Sequence, residues 1–458
     1  METPWDNSLL DATGPAGAVP SRDIASSCNP REAGRKGLVL IAVLWIVAVM
    51  TAIVAVVGQT SRLNMKMAIA ATDEVRCKWA CRAGVENAIG VLNEDTKDSD
   101  CLSDLWSDND EDFNDVVMER CQYSVRVTDE AGKLNINVAT KDQLMALPYM
   151  EETIADAIVD WRDGDDDIQA EGAEVGYYEN LPIPYTIRNG PLRTVRELLC
   201  VKGVTEENLY GEDTNLNGLL DSNERDGDLS PPSDNGDEYL DEGWIAYLTC
   251  CSYEKNVDAD GDNRVNINQA DQQQLQDQLE LKASQAKWIV DNRGGGFRSI
   301  GDLINDNSPK TSSSESSGGE NQAEPLDTQT FSQIADRITI SGEQKLPGRI
   351  NINTASREVL VTLFGRDEQA EQVARAILTE RATMLYGFTS IADLLNVQSM
   401  TTERFKAVAE LITVRSDVFT IRCLATANVS GATFRTECIV DRSVSPGTIL
   451  YWYQGANY

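Results

Sequence analysis

The chain contains no histidine. That removes imidazole acid–base chemistry, Ser-His-Asp triads and the usual His-ligated zinc sites. Its ten cysteines include no Cys-x-x-Cys pair, which excludes a zinc ribbon and a thioredoxin-type centre. Positive charge is scarce: 40 Lys and Arg stand against 74 Asp and Glu, a net charge of −34 at pH 7. Such a field repels phosphate backbones, so no nucleic-acid partner is expected. No nucleophile–base pair and no phosphate-binding glycine loop emerges, so no enzymatic activity is expected. Long apolar runs are absent too, with one exception.

That exception is Leu38 to Val57, which carries no charge. At about 1.5 Å per residue it covers about 30 Å, the hydrocarbon thickness of a bilayer. It is longer than the core of a cleaved secretory signal, and no clear A-x-A site follows it. Arg31, Arg35 and Lys36 precede it, which places the N-terminus in the cytoplasm and the bulk of the chain outside. Arg62 and Lys66 beyond it make that asymmetry modest. The following segment has no proline, and Leu63, Met67, Ala70, Val75, Trp79, Ala83, Ile89 and Leu92 recur at helical spacing. One helix from about residue 38 to 94 is predicted, apolar at first and amphipathic afterwards. Half-apolar, half-amphipathic N-terminal helices are the way pilins are built.

A pattern then occurs three times: LNINVATKDQLMAL from Leu134, VNINQADQQQLQDQ from Val265, and ININTASREVLVTL from Ile350. Each gives Asn-Ile-Asn, an alanine two residues on, and a helix ending in Ile-x-x-x-Arg at Arg162, Arg293 and Arg381. A second helix start follows each, at Gly190, Gly296 and Gly387. Thr140, Asp271 and Ser356 are expected N-caps, with Ser299 and Ser390 capping the later helices. The unit resembles a helix-hairpin-helix, with Val201 to Gly211 as a hairpin turn. Its acidity favours a packing module over a DNA grip. Asn305 to Asp327 is low in apolar residues and reads as a disordered loop.

Three acidic segments are candidate Ca²⁺ sites. In DTNLNGLLDSNE, side-chain oxygens of Asp213, Asn215, Asn217, Asp221 and Glu224 fall at loop positions 1, 3, 5, 9 and 12 of the pattern. Gly218 stands at 6, and Leu219 would offer its main-chain carbonyl. In DADGDNRVN, Asp258, Asp260 and Asp262 stand at 1, 3 and 5, the Arg264 carbonyl at 7 and Asn266 at 9. Here position 6 is asparagine and position 12 glutamine. The third cluster, Asp160, Asp163, Asp165, Asp166 and Glu174, fits no standard loop. Solvated acidic surface is the competing reading for all three.

Strand-like segments flank this region. Cys121 to Asn137 alternates Tyr123, Val125 and Val127 before a turn at DEAGK; Asp417 to Ser443 reads as a hairpin, and Thr448 to Gly455 as a last strand. Cys423 and Cys438 stand on either side of the turn NVSG; if the hairpin sets them opposite each other, they can form a disulfide in an oxidising compartment. The expected organisation is a leader over 1–37, a transmembrane helix over 38–58, and an amphipathic helix with first strands over 59–137. A helical insertion follows over 138–412, with repeats at about 134–211, 265–305 and 350–398. Closing strands occupy 413–458. The fold class is α+β, a pilin-like long helix and small antiparallel sheet with a large all-α insertion of helix-hairpin-helix-like (SAM-like) repeats.

From Gly37 onward this order resembles the K-class minor pseudopilins of type II secretion, with the closest local likeness in DEAGKLNINVAT, DWRDGDDD and NGPLRTVRELLCVKGV. The resemblance implies cleavage by prepilin peptidase after Gly37, an N-methylated Leu38, and a place at the tip of a periplasmic pseudopilus that it helps initiate. It implies the I- and J-class minor pseudopilins and the inner-membrane assembly platform as partners, and calcium in the insertion. Ala42 stands where most pilin-type subunits carry glutamate, which suits a subunit with no neighbour above it. Two rival readings are a membrane-anchored competence-type DNA receptor and a calcium-dependent surface adhesin. Salt-dependent DNA binding would favour the first of these, and failure to co-purify with other pseudopilins the second.

Overall fold

The computed structural model describes residues 36–96, 98–216, 220–232, 234–304 and 323–455, with only the backbone of 36–38 and 228. Two compact units divide at Met67/Ala68. In the first, helix α1 (Lys36–Glu94) begins, and its side chains from Val39 onward are exposed. The leader and Cys28 lie outside the described residues.

The second unit holds two hydrophobic cores. The smaller is built from the end of α1 and an antiparallel sheet. Cys77, Cys81, Val85, Ala88 and Leu92 are buried, three or four residues apart, so one helical face meets the sheet. A Cβ on Gly84 would lie 2.8 Å from the Tyr123 ring, so glycine there lets helix and sheet approach closely. In chain order the strands are β1 (Val116–Met118), β2 (Cys121–Asp129), β3 (Leu134–Asn135), β4 (Leu248–Thr249), β5 (Tyr253–Lys255), β6 (Val265–Asn266) and β7 (Ile338–Thr339). They continue as β8 (Lys345–Pro347), β9 (Ile350–Asn351), β10 (Ile412–Thr413), β11 (Val418–Ala427), β12 (Thr433–Asp441) and β13 (Thr448–Gly455). The sheet order is β1-β2-β11-β12-β13. Its central pair, β2 and β11, comes from opposite sides of the insertion. Along β2 burial alternates, with Tyr123, Val125 and Val127 toward α1.

The expected Cys423–Cys438 bridge is not formed. The hairpin pairs Cys423 with Thr436 and Ile421 with Cys438, so its true centre lies one residue before the assumed one. A one-residue shift of the centre displaces partners by two, and the two sulfurs stay free.

The larger core runs from Leu134 to Val414. The insertion is not all-α. Each Asn-Ile-Asn begins on a two-residue strand that pairs in parallel with a later two-residue strand: β3 with β4, β6 with β7, β9 with β10. The closing strands read Leu248-Thr249, Ile338-Thr339 and Ile412-Thr413.

The rest of the unit is made by side chains. The first asparagine accepts from the backbone N–H of the second, at 3.0, 2.9 and 3.0 Å in the three copies. The second asparagine spans to the glycine-led turn downstream. It donates to the carbonyls of Leu192, Phe297 and Phe388, and accepts from their N–H groups. Arg162, Arg293 and Arg381 each donate to two carbonyls of their own motif, those of Ile136 and Ala139, Ile267 and Ala270, and Ile352 and Ala355. Leaving such buried backbone groups unpaired would cost about 1–3 kcal/mol each, which is why these residues recur at fixed spacing.

Thr140, Asp271 and Ser356 cap the first helices, at 3.2, 2.8 and 3.3 Å. The segments after the glycines are 3-10 turns rather than α-helices (Val195–Cys200, Ile300–Leu303, Ile391–Asn396). Ser299 and Ser390 cap the latter two, while Thr194 caps nothing. Residues 305–322 of the expected disordered loop lie outside the described residues. Its end is ordered, because Leu326 is buried beside Ile304 and Asp327 caps the helix Thr328–Ile334.

A buried ion network ties the insertion together. Glu254 meets Arg264 at 2.6 Å, Arg349 at 3.2 Å and Arg415 at 3.6 Å. Burial alone would raise its carboxyl, but the three guanidiniums outweigh that and hold it down at about 2.

Candidate functional site

The three acidic segments fold differently. In the first, the helix Glu152–Arg162 turns out of its last turn at Asp163, and the chain loops back so that residues 169–174 cross the helix. Asp160 is fully buried and accepts from the N–H groups of Gln169 (3.1 Å) and Ala173 (2.7 Å). Gly172 lies so close that a Cβ there would overlap the Asp160 carboxylate. Asp156, one turn earlier, accepts from Glu171 N–H and is paired with Lys141 at 2.6 Å.

Glu174 has no such partners. It is 7% exposed, and both its carboxylate oxygens, like Oδ1 of Asp163, lack a hydrogen bond. Burial first, then the charges of Asp160 and Asp163, push its carboxyl up to about 7. Burial likewise raises Asp160 and Asp163. Asp165 and Asp166 point outward: Asp165 Oδ1 accepts from Asp167 N–H, and Asp166 from the Asn189 amide. The sequence cluster of five carboxylates is thus divided, three inward and two outward.

In the second segment, Asp213 and Glu224 are buried. Asn215 donates to Asp221 at 2.8 Å, and Glu224 Oε2 accepts from Asp221 N–H at 2.9 Å. Oε1 of Glu224 is buried without a hydrogen bond, and burial, then Asp213, Asp221 and Glu212, raise that carboxyl. Asn217, Gly218 and Leu219 lie outside the described residues. Glu212, which sequence reasoning passed over, joins this cluster, its oxygens accepting from Asn235 and Asp241 N–H.

The third segment is a tight turn bridged by Val257 and Asn263. Asp258 accepts from Asp262 N–H, while Asp260 and Asp262 are exposed. Asn266 has a different role from the one expected: its side-chain oxygen holds the Asn268 N–H of the repeat turn. The Arg264 side chain is drawn away to Glu254 and Asp336.

Sequence reasoning missed a fourth group, Asp95, Asp100 and Asp104, each with one carboxylate oxygen within 4.8 Å of the others'. Arg442 sits on Asp95 at 2.8 Å and also binds Asp100, so a guanidinium already balances this group. No local pattern marks it, because its counter-ion comes from the far end of the chain.

A buried carboxylate with no donor costs several kcal/mol unless it is neutralised or meets a cation. Hard oxygen donors of this kind suit Ca²⁺, which takes 6–8 oxygens. The inward sets are Asp160, Asp163 and Glu174, and Asp213, Asp221 and Glu224.

Among the described residues, α1 is the one helix long and apolar enough to cross a membrane, and its most apolar window, of mean hydropathy 3.0, is wholly unburied. Ala42 lies within that exposed run.

Two family models, both described as "Type II secretion system (T2SS), protein K", match residues 129–210 and 350–415. Over these two segments the chain is similar to that family. The matched segments begin at the junction of β2 with the first repeat and at the third Asn-Ile-Asn strand. Both segments carry motifs that build the larger core. Among solved structures, the chain is similar to one in the "GspK-GspI-GspJ complex from enterotoxigenic Escherichia coli Type 2 Secretion System". The identity is 13%, the coverage 85% of this chain and 99% of that one, and the TM-score 0.46. No curated protein matches the chain.

Proposed function

We propose that this protein K family minor pseudopilin is a non-enzymatic subunit at the tip of the type II secretion pseudopilus, where it helps initiate assembly for export of folded proteins. The observation that carries the reading is the pairing of protein K segments with a single apolar helix whose first half is unburied. In this reading, Leu38 to Val57 first anchors the subunit in the inner membrane with the bulk of the chain periplasmic. Prepilin peptidase cuts between Gly37 and Leu38, and I- and J-class minor pseudopilins and the assembly platform are partners. Ala42 leaves the run without the carboxylate of most pilin subunits, in keeping with a subunit that has none above it.

The test is N-terminal sequencing of the mature protein together with co-purification. A start at Leu38, and recovery with I- and J-class pseudopilins, are the expected results. An intact N-terminus in cells that hold the peptidase would overturn the processing step.

Calcium is part of the same proposal. Asp160, Asp163 and Glu174 would hold one ion, and Asp213, Asn215, Asp221 and Glu224 with Asn217 and the Leu219 carbonyl another. The support is the buried, unpartnered oxygens of Glu174, Asp163 and Glu224. A bound ion supplies the charge that these carboxylates lack and fixes two long loops against the insertion. Calorimetry of the full chain with Ca²⁺ checks this, and absence of heat at both sites would sink it.

A further inference from the structure

Cys423, which the hairpin sets opposite Thr436 rather than Cys438, lies near another cysteine. Cys81 on α1 and Cys423 on β11 are both buried in the smaller core. The Cys81 sulfur also lies 3.4 Å from the Cys423 carbonyl and 3.2 Å from that of Phe434, so it sits directly over β11 and β12. Gly84, one turn on, permits this closeness. Other thiols of this core look elsewhere: Cys77 donates to the Ala432 carbonyl and Cys121 to that of Met118, each at 3.4 Å. Cys438 sits opposite Ile421.

We propose that Cys81 and Cys423 close a disulfide between helix α1 and strand β11 when the chain folds in the presence of a disulfide oxidant. The bond pins the amphipathic half of α1 to the central strand of the sheet. It joins residues from the two ends of the chain, outside the whole insertion, so the loop it closes is long and its effect on the unfolded chain is large. Because both thiols are buried in the folded protein, the exchange happens before the helix docks.

One thiolate attacks the oxidant's disulfide, forming a mixed disulfide and releasing one thiol. The second cysteine gives its proton to solvent and displaces the oxidant's remaining sulfur. In sum, two cysteine thiols lose two electrons and two protons, and one disulfide oxidant becomes two thiols.

In the cell the step rests on the periplasmic placement proposed above, so two experiments keep the ideas apart. First, the full chain is unfolded, refolded in detergent with oxidised glutathione, alkylated, digested and mapped by mass spectrometry. The expected product is a reductant-sensitive cross-link between the Cys81 and Cys423 peptides, and a higher melting temperature than the reduced chain. Cys438→Ser leaves that cross-link in place, and Cys423→Ser abolishes it without moving Cys81 onto Cys438. Alkylated Cys81 and Cys423, or a Cys423–Cys438 or Cys77–Cys121 cross-link instead, overturns the proposal. Second, the same map is made from protein isolated from cells. A cross-link formed on refolding but missing from cells supports the pairing and counts against the periplasmic placement.

Discussion

The repeats and the acidic loops both bury polar groups, and they treat them in opposite ways. Asn135, Asn351 and Asn353 sit in the interior with their hydrogen bonds closed by the chain itself, mostly its backbone and, for Asn351, also the Asp129 carboxylate. Glu174 and Glu224 are buried too, yet both carboxylate oxygens of Glu174 and Oε1 of Glu224 have no hydrogen bond. The repeat is a self-sufficient device in which a polar side chain replaces a ladder or a cap that a two-residue strand cannot provide. An acidic loop leaves buried oxygens of Asp163, Glu174 and Glu224 without a hydrogen bond from the chain. The comparison separates polar residues whose bonds the fold completes from carboxylates whose bonds it does not.

The sharpest way to break the first half of this contrast is Asn353→Ala. It strips the Phe388 N–H and carbonyl of their partner in a fully buried site, and about 3 kcal/mol of stability should go, read by denaturant unfolding. A loss under about 1 kcal/mol would mean the Asn-x-Asn turn is ornament rather than structure.

Acid titration probes a buried charge that the chain satisfies by itself. The Glu254 carboxyl is held at about 2, below its ordinary value. A depressed carboxyl contributes fully above the unfolded pKa and loses that contribution as pH falls through the folded one. Between about pH 4.5 and 2, about 3 kcal/mol should therefore drain away. Glu254→Gln should lower stability at neutral pH and flatten the melting profile across that window; an unchanged profile would show that the network does not carry the acid sensitivity.

For the incomplete loops, saturating Ca²⁺ should raise the melting temperature, with about 2.7 kcal/mol gained at a hundred times the Kd. Glu174→Gln should remove most of the response at that loop while leaving the apo protein no less stable, because it deletes an orphaned charge. If Glu174→Gln and Glu224→Gln together keep the full shift, the ion binds elsewhere. The smallest effect belongs to the third segment. Asp258→Ala with Asp260→Ala should leave the calcium response unchanged within about 0.5 kcal/mol, since Asp258 serves its own turn and Asp260 faces solvent. A large loss would return that loop to the ligand set.

Sequence and structure share this molecule unequally. Periodicity alone marks α1 and its end near residue 94, because a 3.6-residue repeat of apolar side chains needs no tertiary partner to be read. The three Asn-Ile-Asn motifs are equally plain, and their caps at Thr140, Asp271 and Ser356 fall where local chemistry puts them. The closing strands Leu248-Thr249, Ile338-Thr339 and Ile412-Thr413 are too short for any periodic signal, and they exist only because the opening strand lies beside them.

What the chain alone determined, then, is everything carried by neighbours in sequence: an apolar run of membrane length, a repeated turn, and clusters of carboxylates. Folding decided which carboxylates turn inward, that Asn266 holds the repeat turn, and that Cys423 pairs across the hairpin with Thr436 instead of Cys438. Those outcomes depend on register and on burial. Both are set by packing between segments far apart in the chain, and a shift of one residue in a hairpin's centre is enough to change the partner.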